Sequence, residues 1–563
     1  MTIGAVKQKD IVRGYVMKGE RENVLSSVYR SPTIGFILFT LLFSVFVYRP
    51  VNDPDFGWHL AAGKYYVETR SIPATDIFSS TMPEYPWVNH EYLIDAIHYK
   101  LYALAGETTV LLSIFYIALA FLIFVFLLPR LFSPPPALPG LYAIASLTFI
   151  LMNSFWGVRS QIIDWATFLA FLLLWKRFED TNRPVFLYGM IPLFLAWANL
   201  HGGFFIGSAV FAFFIASRIL SGILAGQRSL SRTFLQNPAV LPQDKIRQSF
   251  PLDSISRGKV RGLFLAFFLS AAVTFINPYG ARLHGELFAT LRDTVARQFI
   301  VEWLPAVITN ASFLPFFGYL LFFLFQFLVS GKRTARTCEA RPEAAVRPQD
   351  VFLLILLLAA ALSSARMIPF FIFFSLPILW RHFSEKDLFL PVLSSVILVC
   401  FLGSVFLRQG APDFFVSPPK NRDGYTSLRP NPRSFPPWRQ DVFWDETPQN
   451  AFSYLAHHMP EGNMFNDYGW GGGIIWAYPG VKTFIDGRMS YWKIGDKKIF
   501  EDYLTIERLQ KGWREKMDEY GIQWILIQSD SPLASALEVL PDQWKEMYRD
   551  NQAVIFVKKQ TSP

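Results

Sequence analysis

The sequence predicts an α-helical polytopic membrane protein of about eleven spans with a C-terminal α/β domain on the extracytoplasmic side, and three observations predict it. Apolar runs recur along a chain that is 52% hydrophobic and only 17% charged, where a soluble protein carries about a quarter charged residues. Lys and Arg are shared unevenly between alternate loops. The composition then changes abruptly beyond residue 410, from apolar runs to a Pro- and Arg-rich stretch and a mixed α/β pattern.

Runs suited to crossing about 30 Å of hydrocarbon lie near 32–48, 108–128, 139–157, 161–177, 185–200, 203–221, 262–277, 312–330, 351–366, 368–381 and 387–407. The first ends in Arg49-Pro50 with no small-residue cleavage site, which suits an uncleaved anchor better than a signal peptide. With the N-terminus inside, inner segments hold 25 Lys and Arg against 9 in the outer connections before the last span. That bias sets the N-terminal tail 1–31 in the cytoplasm and the C-terminus outside, in a multi-pass inner or plasma membrane protein. The net charge of +9 is thereby read as topology rather than as a nucleic-acid partner. Cys338 and Cys400 make no disulfide or metal framework.

Between the spans of 32–408, the first outer loop, 49–107, is the longest outer connection. Its GWHLAAGKYYVE stretch has helical spacing, with Trp58, Leu60, Ala61, Tyr65 and Tyr66 able to face lipid. A second amphipathic helix runs from Pro86-Trp87-Val88-Asn89-His90-Glu91 to Leu104, so the loop is expected to hold two helices lying in the interface. Residues 409–447 read as an extended linker. In the domain 448–563, Gln449–His458 reads as a helix, the runs 481–485, 523–527 and 553–557 as strands, and the stretches 497–520 and 531–548 as helices.

The reactive residues gather at the outer ends of the spans. Asp53 and Asp55 stand in Val51-Asn52-Asp53-Pro54-Asp55-Phe56-Gly57-Trp58-His59-Leu60. Arg159 falls between spans three and four, His201-Gly202-Gly203 between five and six, and Arg366 between nine and ten. Asn277-Pro278-Tyr279-Gly280 follows span seven, with His284, Arg297, Glu302 and Trp303 beyond. Five of eight histidines (His59, His90, His98, His201, His284) lie in outer loops. Ionisable groups beside a bilayer are costly and usually have a partner or a task, so an external cavity holding both signs of charge is expected.

Plainer readings exist for each. Asp53 and Asp55 could cap the helix that starts at Gly57, Arg159 and Arg366 could snorkel to headgroups, and His201 with its glycines could be a tight turn. A divalent metal site from Asp53, Asp55 and His90, with His59 or Glu91, is chemically allowed.

These residues resemble the GT-C superfamily of membrane glycosyltransferases, whose members include protein O-mannosyltransferases and lipid A aminoarabinose transferases. The likeness rests on NDPDFGWHL opening a long first outer loop, two helices after it, multiple spans, and an exterior C-terminal domain. Arg366, in Ala365-Arg366-Met367-Ile368-Pro369 before a Phe-rich span, matches a late basic residue near the lipid phosphate. The proline between Asp53 and Asp55 departs from the usual adjacent acidic pair. The stretches PWVNHEYL, FNDYGWGGG and FIDGR mark a divergent bacterial branch.

The resemblance implies an inverting transferase that moves a sugar from a polyprenyl-phosphate donor to a hydroxyl on a glycan, lipid or protein acceptor. Asp55 would be the base and Asp53 its helper or a metal ligand; Arg366 and Arg159 would meet the phosphate. His59, His90, Glu91, His201, Asn277, Tyr279 and Glu302 would line the site. The Gly- and Trp-rich stretch around Tyr468 and Trp470 would suit acceptor binding, or simply tight turns. The competing functions are a transporter or flippase, which would place charge at mid-membrane, and a non-catalytic assembly or anchoring protein.

Overall fold

The structure is a computed structural model, described for residues 32–49, 51, 53–234, 257–293, 300–330, 348–383, 393, 395–402 and 447–559. The tail 1–31, Asn52, Arg297, the basic loop with Cys338 and the linker through residue 446 lie outside the described residues. The chain forms two compact units, Met1–Tyr48 and Arg49–Pro563. In the first, Pro32–Val47 is one apolar helix.

In the second unit, helices fall on the expected runs. They are Val110–Leu131, Leu138–Met152, Ile162–Thr181, Pro184–Tyr188 with Met190–Leu200, Phe204–Phe234, Arg257–Val273, Leu314–Ser330, Pro348–Ser363 and Ile368–Phe383. Among the described residues, two helical stretches are long and apolar enough to cross a bilayer: Val110–Leu131, with mean hydropathy 3.0, and Leu138–Phe155, with 1.5. Shorter apolar helices, among them Pro184–Leu200, Val260–Val273 and Ala311–Gln326, fall on other expected runs, so two of the expected spans are matched by length and composition among the described residues. Large apolar side chains such as Phe268, Leu321, Phe325 and Ile355 are exposed on the helix surfaces. A water-bounded protein rarely leaves so many together, whereas hydrocarbon would cover them without cost.

The helices pack through phenylalanine. Phe171 meets Phe194 edge-on and Phe211 at a tilt, and Trp175 stacks on Phe214 at 4.6 Å. Phe124 packs against both Phe149 and Trp156. Such flat, rigid rings fill space with few rotamers and prefer these tilted contacts. The connections that carry the charged residues are short and tight: Val301–Trp303 and Ala365–Met367 are single 3₁₀ turns. A backbone bond from Ala365 N to the Leu304 carbonyl, 3.0 Å, holds these two turns side by side.

The C-terminal domain contains a four-stranded sheet of order β1-β4-β6-β5, with β1 Asn463–Asn466, β4 Ile522–Gln528, β5 Trp544–Arg549 and β6 Ala553–Lys558. β1 and β4 are parallel and the remaining pairs antiparallel; β2 (Lys493–Ile494) and β3 (Lys497–Lys498) form a small separate hairpin. The helix at Gln449–Leu455 and the strands at β4 and β6 match the sequence reading. Two readings fail. Residues 481–485 form no strand, because Thr483 makes one isolated bridge, to Ser79. The helix expected over 531–548 stops at Glu538, and β5 takes over. β1 itself was not anticipated.

The 49–107 loop folds differently from the interfacial expectation. Its helices, Phe56–Thr69 and Tyr92–Leu104, pack on each other so closely that a Cβ at Gly63 would overlap the Asp95 carbonyl. Trp58, Leu60 and Tyr66, expected to face lipid, are buried. Trp58, Ala62, Tyr66, Met82, Tyr85 and Trp87 share one apolar core with Phe465, Ile475, Phe484, Ile485, Met489 and Trp492 of the C-terminal domain. Amphipathic spacing identifies an apolar face but not its partner; here the partner is protein.

Candidate functional site: two charged clusters beside an acidic turn

The acidic turn is built by its own side chain. Asp53 Oδ1 accepts from Asp55 N at 3.0 Å, and the Asp53 carbonyl accepts from Phe56 N at 3.0 Å. Asp55 occupies the N-cap position of the Phe56–Thr69 helix, yet its carboxylate makes no capping bond. Neither acid caps the helix through its side chain; Asp53 closes the turn that precedes it.

Asp53 Oδ2 pairs with Arg159 Nε at 2.9 Å. Arg159 also pairs with Glu302, whose other oxygen meets Arg366 Nη2 at 3.0 Å. Four residues from four connections thus form a chain of alternating charge, Asp53–Arg159–Glu302–Arg366. Burial raises the Glu302 carboxyl, but Arg159 and Arg366 outweigh it and hold the group below its ordinary value. Arg366 lies 5.4 Å over the Trp303 ring, and its side chain is 42% exposed. It is the end of the chain most open to a ligand.

Asp55 sits one helical turn from His59 and two residues from Asp53. Burial, then the neighbouring Asp53 charge, push its carboxyl up to about 7, against the pull of His59. The C-terminal domain closes over this turn: a Cβ at Gly472 would overlap the Pro54 carbonyl, and one at Gly487 would overlap the Asp55 carboxylate. The glycines of DYGWGGG and FIDGR are therefore required by close approach to the acidic motif.

A second cluster lies on the other side of His59. His59 Nδ1 stands 2.7 Å from Asp95 Oδ1 and 3.3 Å from Glu91 Oε2. Glu91 Oε1 meets His201 Nε2 at 2.8 Å and His90 Nε2 at 3.5 Å. His201 Nδ1 lies 2.6 Å from Asp164 Oδ2, and Trp197 Nε1 donates to Asp164 Oδ1 at 2.7 Å. Burial lowers both imidazoles, but the acids outweigh it. Asp95 and Glu91 raise His59 to about 9, and Asp164 and Glu91 raise His201 to about 10. Glu91 is held ionised in turn, since His59 and His201 override the effect of its burial. Asn89 donates to Asp95 at 2.7 Å and to the Tyr66 hydroxyl at 2.9 Å. Tyr279 adjoins Tyr66 and Asn89, and burial pushes its hydroxyl up to about 12.

The expected residues therefore divide. Asp53, Arg159, Glu302 and Arg366 meet in one chain; His59, His90, Glu91 and His201 meet in another, with Tyr279 at its edge. Asn277 uses its side chain on its own turn, bonding Tyr279 N and the Thr274 carbonyl. His98 donates to or accepts from Tyr116 at 3.0 Å, and His284 stacks on Phe275 at 4.0 Å, so neither joins a cluster. The metal expected from Asp53, Asp55 and His90 meets a different geometry. Among the described residues the groups that could hold an ion are His90–Glu91–His201 and His59–Glu91–Asp95, while both Asp53 oxygens are engaged by Arg159 and Asp55 N.

Sequence reading missed Asp95, which lies one turn beyond Glu91 on the same helix face. It also missed a buried ion triad. Arg488 pairs with Asp486 and with Asp76 of the 49–107 loop, each at 2.7 Å. The guanidinium lies 4.6 Å over Trp87, 4.9 Å over Phe78 and 5.1 Å over Trp492. Thr81 Oγ1 donates to the Phe484 carbonyl at 2.6 Å beside it. FIDGR held the signal for this, an acid and an arginine two residues apart, but no local pattern names Asp76, four hundred residues away.

No protein-family model and no curated protein matches this chain. Solved structures of the oligosaccharyltransferase of Archaeoglobus fulgidus are similar to it at low identity. The apo form is 12% identical with a TM-score of 0.48, covering 94% of this chain and 75% of that one. The complex with an inhibitory peptide and a dolichol-phosphate is 11% identical with a TM-score of 0.48, covering 95% and 75%. The complex with Zn and sulfate is 12% identical with a TM-score of 0.45, covering 93% and 73%. The chemistry of this chain rests on its own residues.

Proposed function

We propose that this chain is a membrane glycosyltransferase of the GT-C kind that moves a sugar from a polyprenyl-phosphate donor to a hydroxyl acceptor on the extracytoplasmic side. The observation that carries the reading is the pairing of Asp55 with the Asp53–Arg159–Glu302–Arg366 chain. A carboxylate near neutral pKa is matched to general-base work, and an exposed guanidinium at the far end of that chain suits a departing phosphate.

In this reading Asp55 takes the proton of the acceptor hydroxyl as its oxygen bonds the anomeric carbon. The bond from that carbon to the phosphate oxygen breaks, and Arg366 meets the charge that develops there. Arg159 is the inner guanidinium; it holds Asp53 and Glu302 in place and so fixes where Asp55 and Arg366 stand. Asp53 positions Asp55 through its backbone N–H. His59 sets the field around the base from one turn away.

Two variants test this in purified protein supplied with polyprenyl-phosphate-linked sugars. Asp55→Asn should lower transfer by about 10²–10⁴-fold, the usual worth of a positioned base. Arg366→Ala should raise the KM for donor, and Arg366→Lys should restore only part, because lysine offers no planar fork. Transfer unchanged in Asp55→Asn sinks the assignment of the base.

One observation favours the non-catalytic reading: Gly472 and Gly487 press the C-terminal domain directly on Pro54 and Asp55, a contact that an anchoring protein would also need. Absence of transfer from every polyprenyl-phosphate donor by the wild-type chain would select it.

A further inference from the structure

We infer that His90, Glu91 and His201 form a binding site for one divalent transition-metal ion, held from outside by Asp164 and separate from the Asp53–Arg366 chain. The inference does not depend on the proposed transferase activity.

The geometry gives three reasons. Two imidazole Nε2 atoms converge on one carboxylate oxygen, at 2.8 Å for His201 and 3.5 Å for His90, and the three donor atoms lie within 4.8 Å of one another. Two imidazoles and a carboxylate form a donor set suited to zinc and its neighbours in the first transition row, and poorly suited to magnesium.

The second reason lies behind His201. Asp164 faces its Nδ1 at 2.6 Å, and Trp197 holds Asp164 at 2.7 Å. A carboxylate behind a histidine fixes the ring and the tautomer that leaves Nε2 free to bind metal, the outer arrangement characteristic of metal-bound imidazoles. Asp95 does the same for His59 at 2.7 Å. It is itself tied down by Asn89, so His59 and Asp95 support Glu91 rather than replace it.

The third reason is the turn that carries His201. The helix Met190–Leu200 ends in His201 with extended backbone. Gly203 then packs on Asp164, where a Cβ would overlap the carboxylate, and a Cβ at Gly202 would meet the Leu287 side chain first and come within 3.1 Å of the His90 ring. The glycines thus serve the approach of His201 to both Asp164 and His90. A plain turn requires no such approach.

Untagged full-length protein in detergent, stripped with chelator and equilibrated with Zn²⁺ or Co²⁺, tests the site. About one ion per chain is expected, and Co²⁺ should show the visible absorption of a low-coordinate nitrogen and oxygen site. His201→Ala and Glu91→Gln should lose it. Asp164→Asn should keep all three ligands but bind about 10–100-fold more weakly. His284→Ala, which alters a histidine outside the cluster, should bind as the wild type does and controls for folding and for surface histidines. Wild-type protein that takes up no ion overturns the inference and leaves a proton shared among these acids and imidazoles. Full binding by a folded His201→Ala variant overturns it as well.

Discussion

At the scale of the single residue, Asp55 and Asp53 show how two acids two positions apart acquire different tasks. Asp53 finds a guanidinium, Arg159, and the backbone N–H of Asp55, one on each carboxylate oxygen. Asp55 finds a covering domain and a like charge, which disfavour the ionised form. With its carboxyl near 7, transfer should fall about tenfold per pH unit below neutrality, since only the ionised form accepts a proton; a flat profile between pH 5 and 7 would contradict this. The same shift has a stability consequence of opposite sign. The folded state holds the Asp55 proton more tightly than the unfolded state, so this group destabilises the fold increasingly as pH rises from the ordinary carboxylate value to about 7. Asp55→Asn should therefore melt above wild type at pH 8 and equal it near pH 4. The spacing of the two acids was legible in the sequence. Their division of labour was not, because it depends on Arg159 and on Gly487, neither of which is a chain neighbour.

At the scale of the element, short turns and glycines do the positioning. The 3₁₀ turns at Val301–Trp303 and Ala365–Met367 put Glu302 and Arg366 side by side, while the glycine runs let the C-terminal domain approach the acidic turn. Gly487→Ala should force that domain away from Asp55. A destabilisation of about 1–3 kcal/mol is expected, as for overpacking in a core, together with faster proteolysis near residue 487. Unchanged melting and cleavage would show that the gap can relax. Arg488→Met should cost more, about 3–5 kcal/mol in thermal unfolding, because it leaves Asp76 and Asp486 buried without their cation. The triple variant with Asp76→Asn and Asp486→Asn should recover much of this. Helices were legible where apolar runs were long. The segment 481–485 was misread because its backbone bonds the 49–107 loop at Phe78 and Ser80 and the Asn466 side chain, and not the backbone of a neighbouring strand.

At the scale of the whole molecule, the C-terminal domain and the 49–107 loop are one packing unit. Trp58, Tyr66, Met82, Tyr85 and Trp87 complete a core that residues 447–559 cannot close alone. That segment expressed by itself should bind hydrophobic dye and exchange its β1 and β4 amides quickly. Fusion to residues 49–107 through a flexible linker should restore protection. A sharply melting, dye-free isolated domain would refute the shared core. The consequence for function is that the acidic turn and its roof form together, so changes in the C-terminal domain should reach Asp55 without touching the spans.

The sequence by itself determined the helical class, the runs that become helices, the α/β character of the last hundred residues and the residue types available for chemistry. Periodicity and composition are local, and these properties follow from neighbours along the chain. Tertiary structure alone decided that the charges separate into an arginine–carboxylate chain and an imidazole–carboxylate cluster, and that the loop helices bury their aromatic face against protein. Which opposite charge lies 3 Å away, and which surface covers an apolar face, depend on contacts between residues tens to hundreds of positions apart, and no local pattern encodes them.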